Sequence, residues 1–227
     1  MSLELPFVGR EAEVRQLTKL HAQKKHAFII GPPGIGKSAL IAHLRTLRPL
    51  FLCAQSSTLA QVCDGLEREL GLASEDLRLV KRKNRVLKAL ADAGQAVVFD
   101  GVSWTTPKLS SFLDGASERV PVWIASRAEH GWDFGHFWPF LWKFARVELH
   151  PFHLAETEAL VDAAVKAGLI PPQAMSIAAW LHQRSNGSPL VLRELFEELA
   201  TSRYDVNNPR SLRLLDLDRR IHEVFPG

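Results

Sequence analysis

The chain has 227 residues, 46 % of them hydrophobic and 23 % charged. A chain of that length buries roughly 70 % of its unfolded surface without covalent staples, and the ordinary charged fraction excludes wholesale disorder. A formal net charge of +3 permits an anionic partner but does not demand one.

The predicted elements follow in chain order. Glu11 to Lys25 reads as a helix, with Val14, Leu17, Leu20 and His21 on one face. HAFII (26–30) is a short apolar run that stops at a glycine loop, so it reads as a buried strand. SALIAHLRTL (38–47) is helical and Pro49 ends it. LFLCA (50–54) is a second strand. Thr58 to Leu70 is helical, with Gly71 as its stop, and Leu77 to Ala93 is a longer helix closed by Gly94. QAVVFD (95–100) is a third strand that ends on an acid. A helix over Pro107 to Glu118, a fourth strand VPVWIAS (120–126) and a fifth, ARVEL (145–149), complete the alternation. After Pro151 the pattern changes to helical stretches at 154–167, 172–185 and 189–202, with an exposed terminal helix expected over 210–220. Strands alternating with helices imply a parallel sheet covered on both faces. The expected layout is an α/β domain over 1–150 and a helical domain over 151–227.

No apolar run approaches the roughly 18 residues of a membrane span, so no membrane role is expected. The start MSLELPFVGR lacks the basic-then-apolar build of a secretory signal. Cys53 and Cys63 have neither metal-site spacing nor the density of a disulfide framework, so a reducing, cytoplasmic setting is the expectation.

GPPGIGKS (31–38) fits the pattern G-x-x-x-x-G-K-[ST] at each fixed position, between an apolar strand and a helix. Gly31, Gly34 and Gly36 let successive backbone N–H groups turn inward toward a phosphate. The helix that starts near Lys37 adds its positive dipole end. Lys37 supplies a mobile charge for the β- and γ-phosphates, and Ser38 offers a hydroxyl to Mg²⁺. Pro32, Pro33, Ile35 and Ala39 complete the segment expected to line the phosphates. Asp100, at the end of a buried strand, is the second expected magnesium ligand, opposite Ser38. The same aspartate could instead start a surface turn with Gly101. Hydrolysis further needs a group that orients water. Gly101 follows Asp100 directly, and Asp114, Glu118 and Glu129 are candidates among which the sequence does not choose.

With these residues in place, the chain resembles the P-loop ATPases of the AAA+ and STAND groups over about residues 5–200. FVGREAEV (7–14) is similar to the hydrophobic-Gly-Arg-Glu signature of STAND and origin-recognition-type proteins. The resemblance puts Phe7, Val8, Gly9 and Arg10 near the adenine and ribose. A helix-capping role for the Arg10 segment, with Glu11 and Glu13 at the positive helix end, is the other reading. VVFD (97–100) resembles the Walker B strand. WIASR (123–127) resembles the sensor strand, with Ser126 and Arg127 facing the γ-phosphate; a plain surface arginine is the alternative for Arg127. NGSPLVL (186–192) resembles the Gly-x-Pro motif of the helical lid, with Gly187 and Pro189 near the nucleotide. The resemblance implies strand order 5-1-4-3-2, ATP or ADP with Mg²⁺ as cofactors, and a nucleotide held between the α/β domain and the lid. In that reading Lys37, Asp100 and Arg127 carry the chemistry. The choice of adenine comes from the resemblance, since no Asn-Lys-x-Asp guanine reader is present. The function implied is an ATP-binding, ATP-hydrolysing switch that controls assembly or partner binding. A DNA-binding regulator of origin-recognition or transposition type and a non-hydrolysing scaffold are the alternatives.

Two further segments bear on partners. HGWDFGHFWPFLWKF (130–144) is crowded with Trp and Phe but broken by glycine and proline, so a simple core helix does not fit it. It is either aromatic core beneath the lid or a contact surface for another subunit, a protein partner or unstacked bases. His130 and His136 within it lack a third metal ligand. KRKNRVLK (81–88) places Lys81, Arg85 and Lys88 on one helical face, either as a solvated stripe or as a track for a DNA backbone.

Overall fold

The computed structural model describes residues 3–73, 75–127, 131–201 and 203–224. The chain divides into two compact units. One comprises Glu11–Pro33 and Lys37–Leu149; the other comprises Met1–Arg10, Gly34–Gly36 and His150–Gly227.

In the α/β unit the elements are α1 (Glu11–Ala22), β1 (Ala27–Ile30), α2 (Lys37–Leu47), β2 (Leu50–Cys53), α3 (Leu59–Glu69), α4 (Leu79–Ala93), β3 (Ala96–Phe99), α5 (Pro107–Ser117), β4 (Val122–Ser126) and β5 (Ala145–Glu148). The strands form one sheet in the order β2-β3-β4-β1-β5, every pair parallel. This is the expected order, counted from the other edge. A parallel sheet must be covered on both faces, which is why β3 and β4 are buried at every position and apolar except for Ser126 at the end of β4. The outer strand β5 alternates instead, with only Val147 fully inside.

Local chemistry sets the helix ends. Thr58 caps α3 by accepting from the Gln61 N–H, and the Gln61 side chain accepts from the Thr58 N–H in return. Thr106 caps α5, and Pro107 occupies its first turn, where a missing N–H costs nothing. On α3 the buried residues Leu59, Val62, Cys63 and Leu66 recur at helical spacing. They join Val86 and Leu90 of α4, Phe112 and Leu113 of α5, and the sheet residues Val97, Phe99 and Ile124 in one core. Each such side chain contributes about 1.5–3 kcal/mol relative to exposure.

Two segments differ from simple expectation. Residues 131–144 form 3₁₀ turns at Gly131–Phe134 and Trp138–Lys143. Phe134 and Phe137 are fully buried and Phe144 nearly so, in the α/β core, where Phe134 meets Phe28 edge-on. Trp138 and Trp142 point outward, 52 % and 80 % exposed. The aromatic run is thus core and surface at once. Buried Thr105 organises it: its hydroxyl donates to the Phe134 carbonyl and accepts from the Phe137 N–H. Glu129 and His130 lie outside the described residues, as does the Trp132 side chain. On α4 the basic face is not free. Arg82 pairs with Asp64 and Glu67, and Arg85 pairs with Glu67 and Glu75. Lys81 and Lys88 remain exposed.

The helical unit contains α6 (Leu154–Lys166), a 3₁₀ stretch Pro172–Ile177, α7 (Ala178–Ser185), α8 (Pro189–Ala200) and α9 (Pro209–Val224). The expected single helix over 172–185 is therefore divided. Ala174 and Ile177 bury at a spacing of three, which suits the tighter turn that follows Pro171-Pro172. Between α7 and α8 the chain reverses through Asn186 and Gly187, both left-handed. A side chain at Gly187 is impossible, because its Cβ would lie 2.2 Å from the Phe152 carbonyl oxygen. The core joins Leu160, Val161, Leu181, Leu192, Leu195 and Phe196 to Leu212 and Leu215 of α9. So α9 is not merely an exposed terminal helix. Its mixed charges obscure one buried face.

Candidate functional site

Parallel pairing brings the C-terminal ends of β1, β3 and β4 to one edge of the sheet. Ile30 pairs with Ser126, and Phe99 pairs with Ile124 two residues behind. Hence Gly31, Asp100 and Arg127 each leave the sheet on the same side, where open α/β sheets take their ligands.

The phosphate loop leaves β1 at Gly31 and enters α2 at Lys37. Pro32, Pro33, Ser38 and Ala39 are exposed, whereas the Ile35 side chain is buried and anchors the crest. Gly34 has φ +74°, a left-handed conformation costly for any residue with a Cβ. The Lys37 ammonium donates to the Gly31 carbonyl at 2.6 Å and to that of Pro32 at 2.9 Å. Half-burial lowers the Lys37 pKa below its ordinary value; the Asp100 carboxylate opposes that shift, and the Arg127 guanidinium adds to it. Lys37, Asp100 and Arg127 therefore share one electrostatic neighbourhood. The first turn of α2 contains no acidic side chain, so its free N–H groups and positive dipole end are not neutralised from within the helix.

Asp100 is half-buried, with its N–H bonded to the Cys53 carbonyl at 2.9 Å. Ser126 is fully buried and Arg127 exposed. Among the described residues no group of three or more His, Cys, Asp or Glu is arranged to hold a metal. A hydroxyl on Ser38 and a carboxylate on Asp100 are hard oxygen donors. They fit Mg²⁺, which takes one or two protein oxygens and completes its shell from phosphate and water. Two of the three water-orienting candidates lie elsewhere. Asp114 and Glu118 belong to the C-terminal end of α5, which leads to the start of β4 and so to the opposite edge of the sheet; Asp114 contacts Lys143 there.

The remaining expected site residues lie in the helical unit. Val8 packs against its core. Gly9 is buried with φ +73°, and Arg10, also left-handed at φ +66°, is only 5 % exposed. The Arg10 guanidinium donates to the Ile35 carbonyl at 3.0 Å and lies over the Phe152 ring, 4.7 Å from its centroid. Pro189 starts α8, with its Cγ 3.9 Å from the point a Cβ on Gly36 would occupy. Two participants were not expected from the sequence, Leu190 and Phe152. Leu190 donates its N–H to the Gly34 carbonyl at 3.1 Å. No local pattern distinguishes either of them from ordinary core residues.

Among the described residues no helix is long and apolar enough to cross a membrane. No curated protein matches the chain in sequence. Solved structures do match in fold. The Orc1 protein of Aeropyrum pernix, solved in complex with DNA, superposes with a TM-score of 0.67 at 16 % identity, over 96 % of this chain and 66 % of that one. Cdc6p from Pyrobaculum aerophilum gives 0.67 at 14 % identity, over 88 % and 62 %. A STAND protein with a tetratricopeptide repeat sensor from Pyrococcus horikoshii gives 0.52 at 18 % identity, over 95 % of this chain but 33 % of its own length. The chain thus spans less than two thirds of the length of these proteins. The sequence profile described as the AAA ATPase domain matches residues 6–169, and the chain belongs to that family.

Proposed function

We propose that the chain binds Mg-ATP and acts as a slowly hydrolysing switch of the STAND/AAA+ kind, controlling assembly or partner binding. The observation that carries this reading is the cluster of Lys37, Asp100 and Arg127 at the loop end of the sheet. In it the loop N–H groups and Lys37 hold the phosphates. Lys37 turns from its own loop carbonyls to the ligand, which its flexible stem allows. Ser38 and Asp100 hold Mg²⁺, which neutralises charge on the phosphate oxygens. Ser126 and Arg127 respond to the γ-phosphate. Gly34–Gly36 and the start of α8 at Pro189 belong to one compact unit, and the Leu190 N–H bonds the Gly34 carbonyl, which gives a change at the loop crest a route to α8. Triphosphate and diphosphate then favour different states of that unit. Exposed Trp138 and Trp142 are the apolar groups available for an output contact.

Isothermal calorimetry with Mg-ATP tests the binding step: the parent takes up nucleotide and Lys37→Ala does not. Equal binding by both removes the proposal. The non-hydrolysing alternative draws support from Gly101 after Asp100 and from the position of Asp114 and Glu118. Phosphate release decides it, since a rate equal to that of Lys37→Ala leaves binding without turnover. The DNA-binding alternative draws on the likeness to Orc1. Against it, Arg82 and Arg85 are already paired with acids. A DNA titration at several salt concentrations separates the two, because phosphate contacts give a steep salt slope.

A further inference from the structure

The loop crest is held by its carbonyls. Gly34 gives its carbonyl to the Leu190 N–H, and Ile35 gives its carbonyl to the Arg10 guanidinium. In a planar trans peptide the C=O and the following N–H point in opposite directions. Holding the Gly34 oxygen therefore aims the Ile35 N–H the other way, and holding the Ile35 oxygen does the same for the Gly36 N–H. These donors are free to turn only if those carbonyls are released.

Arg10 is built for this task. Two successive left-handed residues, Gly9 and Arg10, turn the chain so that the side chain enters the interior. A left-handed non-glycine residue costs roughly 1–2 kcal/mol, a strain that persists only where the surroundings fix it. The Phe152 ring beneath the guanidinium and the Ile35 carbonyl at its edge supply that fixing. Side-chain burial at Ile35 holds the other end of the contact.

We infer that Arg10 is a positioning residue for the phosphate loop: it acts through the Ile35 carbonyl to aim the Gly36 N–H at a polyphosphate, and its contribution is independent of the base and ribose. The inference rests on the proposed nucleotide reading of the loop and deepens it. A loop aimed in advance recognises the bare polyanion, so magnesium tripolyphosphate is a ligand in its own right.

Calorimetry with Mg-ATP, and competition against it by magnesium tripolyphosphate, tests this on the full chain. Each variant is studied below its own melting transition, so that lost stability is not read as lost affinity. Arg10→Ala is expected to weaken both ligands by a similar factor, about tenfold. Arg10→Lys, which keeps one cationic donor, recovers part of both. If Arg10→Ala does not fold, Phe152→Leu removes the ring beneath the guanidinium and is expected to weaken both ligands in equal proportion. A loss confined to Mg-ATP overturns the inference, because Arg10 would then serve the adenosine. Unchanged affinities overturn it, as does a parent that binds Mg-ATP but shows no competition by tripolyphosphate. A parent that binds neither ligand removes the nucleotide reading itself, which is a distinct result.

Discussion

Leu190 closes over Gly34: its N–H donates to the Gly34 carbonyl at 3.1 Å, and its Cβ lies 2.6 Å from where a Cβ on Gly34 would stand. Gly34 thus answers two demands, a left-handed backbone and an absent side chain. Gly34→Ala is expected to add about 1–2 kcal/mol of backbone strain and a clash besides. The melting temperature and the Mg-ATP affinity should both fall. Adding Leu190→Ala relieves the contacts beyond Cβ but not the φ penalty, so the double variant should recover only part of the melting temperature. Full recovery in a thermal scan would show that the backbone conformation contributes nothing.

Asp100 bears on the metal. If it holds Mg²⁺ with Ser38, nucleotide affinity in the parent depends on the metal, and EDTA weakens it. Asp100→Asn keeps the shape and removes the charge, so its affinity should start lower and respond less to EDTA. Calorimetry with and without chelator reads the difference. An Asp100→Asn variant as metal-sensitive as the parent would place the metal elsewhere.

Glu67 has a structural role on α3. Its carboxylate accepts from both Arg82 and Arg85, and the Arg82 hydrogen bond is the main reason its pKa is held below the ordinary carboxylate value. Glu67→Ala removes the carboxylate that the two guanidiniums share and leaves Arg82 with Asp64 and Arg85 with Glu75, each a more exposed partner. A cost of about 1 kcal/mol is expected in urea unfolding, because each arginine keeps a second acid. A change near zero would mean that the arginines find water instead. The sign of the pH dependence follows from the lowered pKa: the contribution is present above the ordinary value of 4.5 and is lost as pH falls through the folded-state value.

Much of this architecture was legible in the residues. Short apolar runs broken by glycine or acid mark the strands, and the loop from Gly31 to Ser38 fits a nucleotide-binding pattern inside the stretch that the AAA ATPase domain profile matches. The parallel arrangement follows from the alternation of strands with helices, and the strand order from the family likeness. What stayed hidden was tertiary. The basic run over 81–88 gives no sign that Asp64, Glu67 and Glu75 lie beside it, because those partners come from other elements. Phe134, Phe137, Trp138 and Trp142 look alike in sequence, yet 3₁₀ geometry turns two inward and two outward. Arg10 is put near the adenine and ribose by the family likeness, with a place in a capped helix start as the other reading. Its contact with the Ile35 carbonyl depends on how two distant stretches of chain meet, which no periodicity records.

His26 gives the α/β unit a pH dependence of its own. Its Nδ1 accepts the Val122 N–H at 3.0 Å, which requires a neutral ring with the proton on Nε2. Burial lowers its pKa below the ordinary 6.5, and the nearby Lys143 ammonium adds to the shift. The folded state thus binds fewer protons than the unfolded chain just below pH 6.5. Stability from this group is fully present above 6.5 and is lost as pH falls from there through the folded-state value. His26→Gln offers a side-chain oxygen to the Val122 N–H but cannot titrate in this range. It is expected to flatten the stability profile between pH 7 and pH 5 without abolishing folding. Urea unfolding across that range checks this, and a variant whose profile parallels that of the parent would assign the acid limb to other groups.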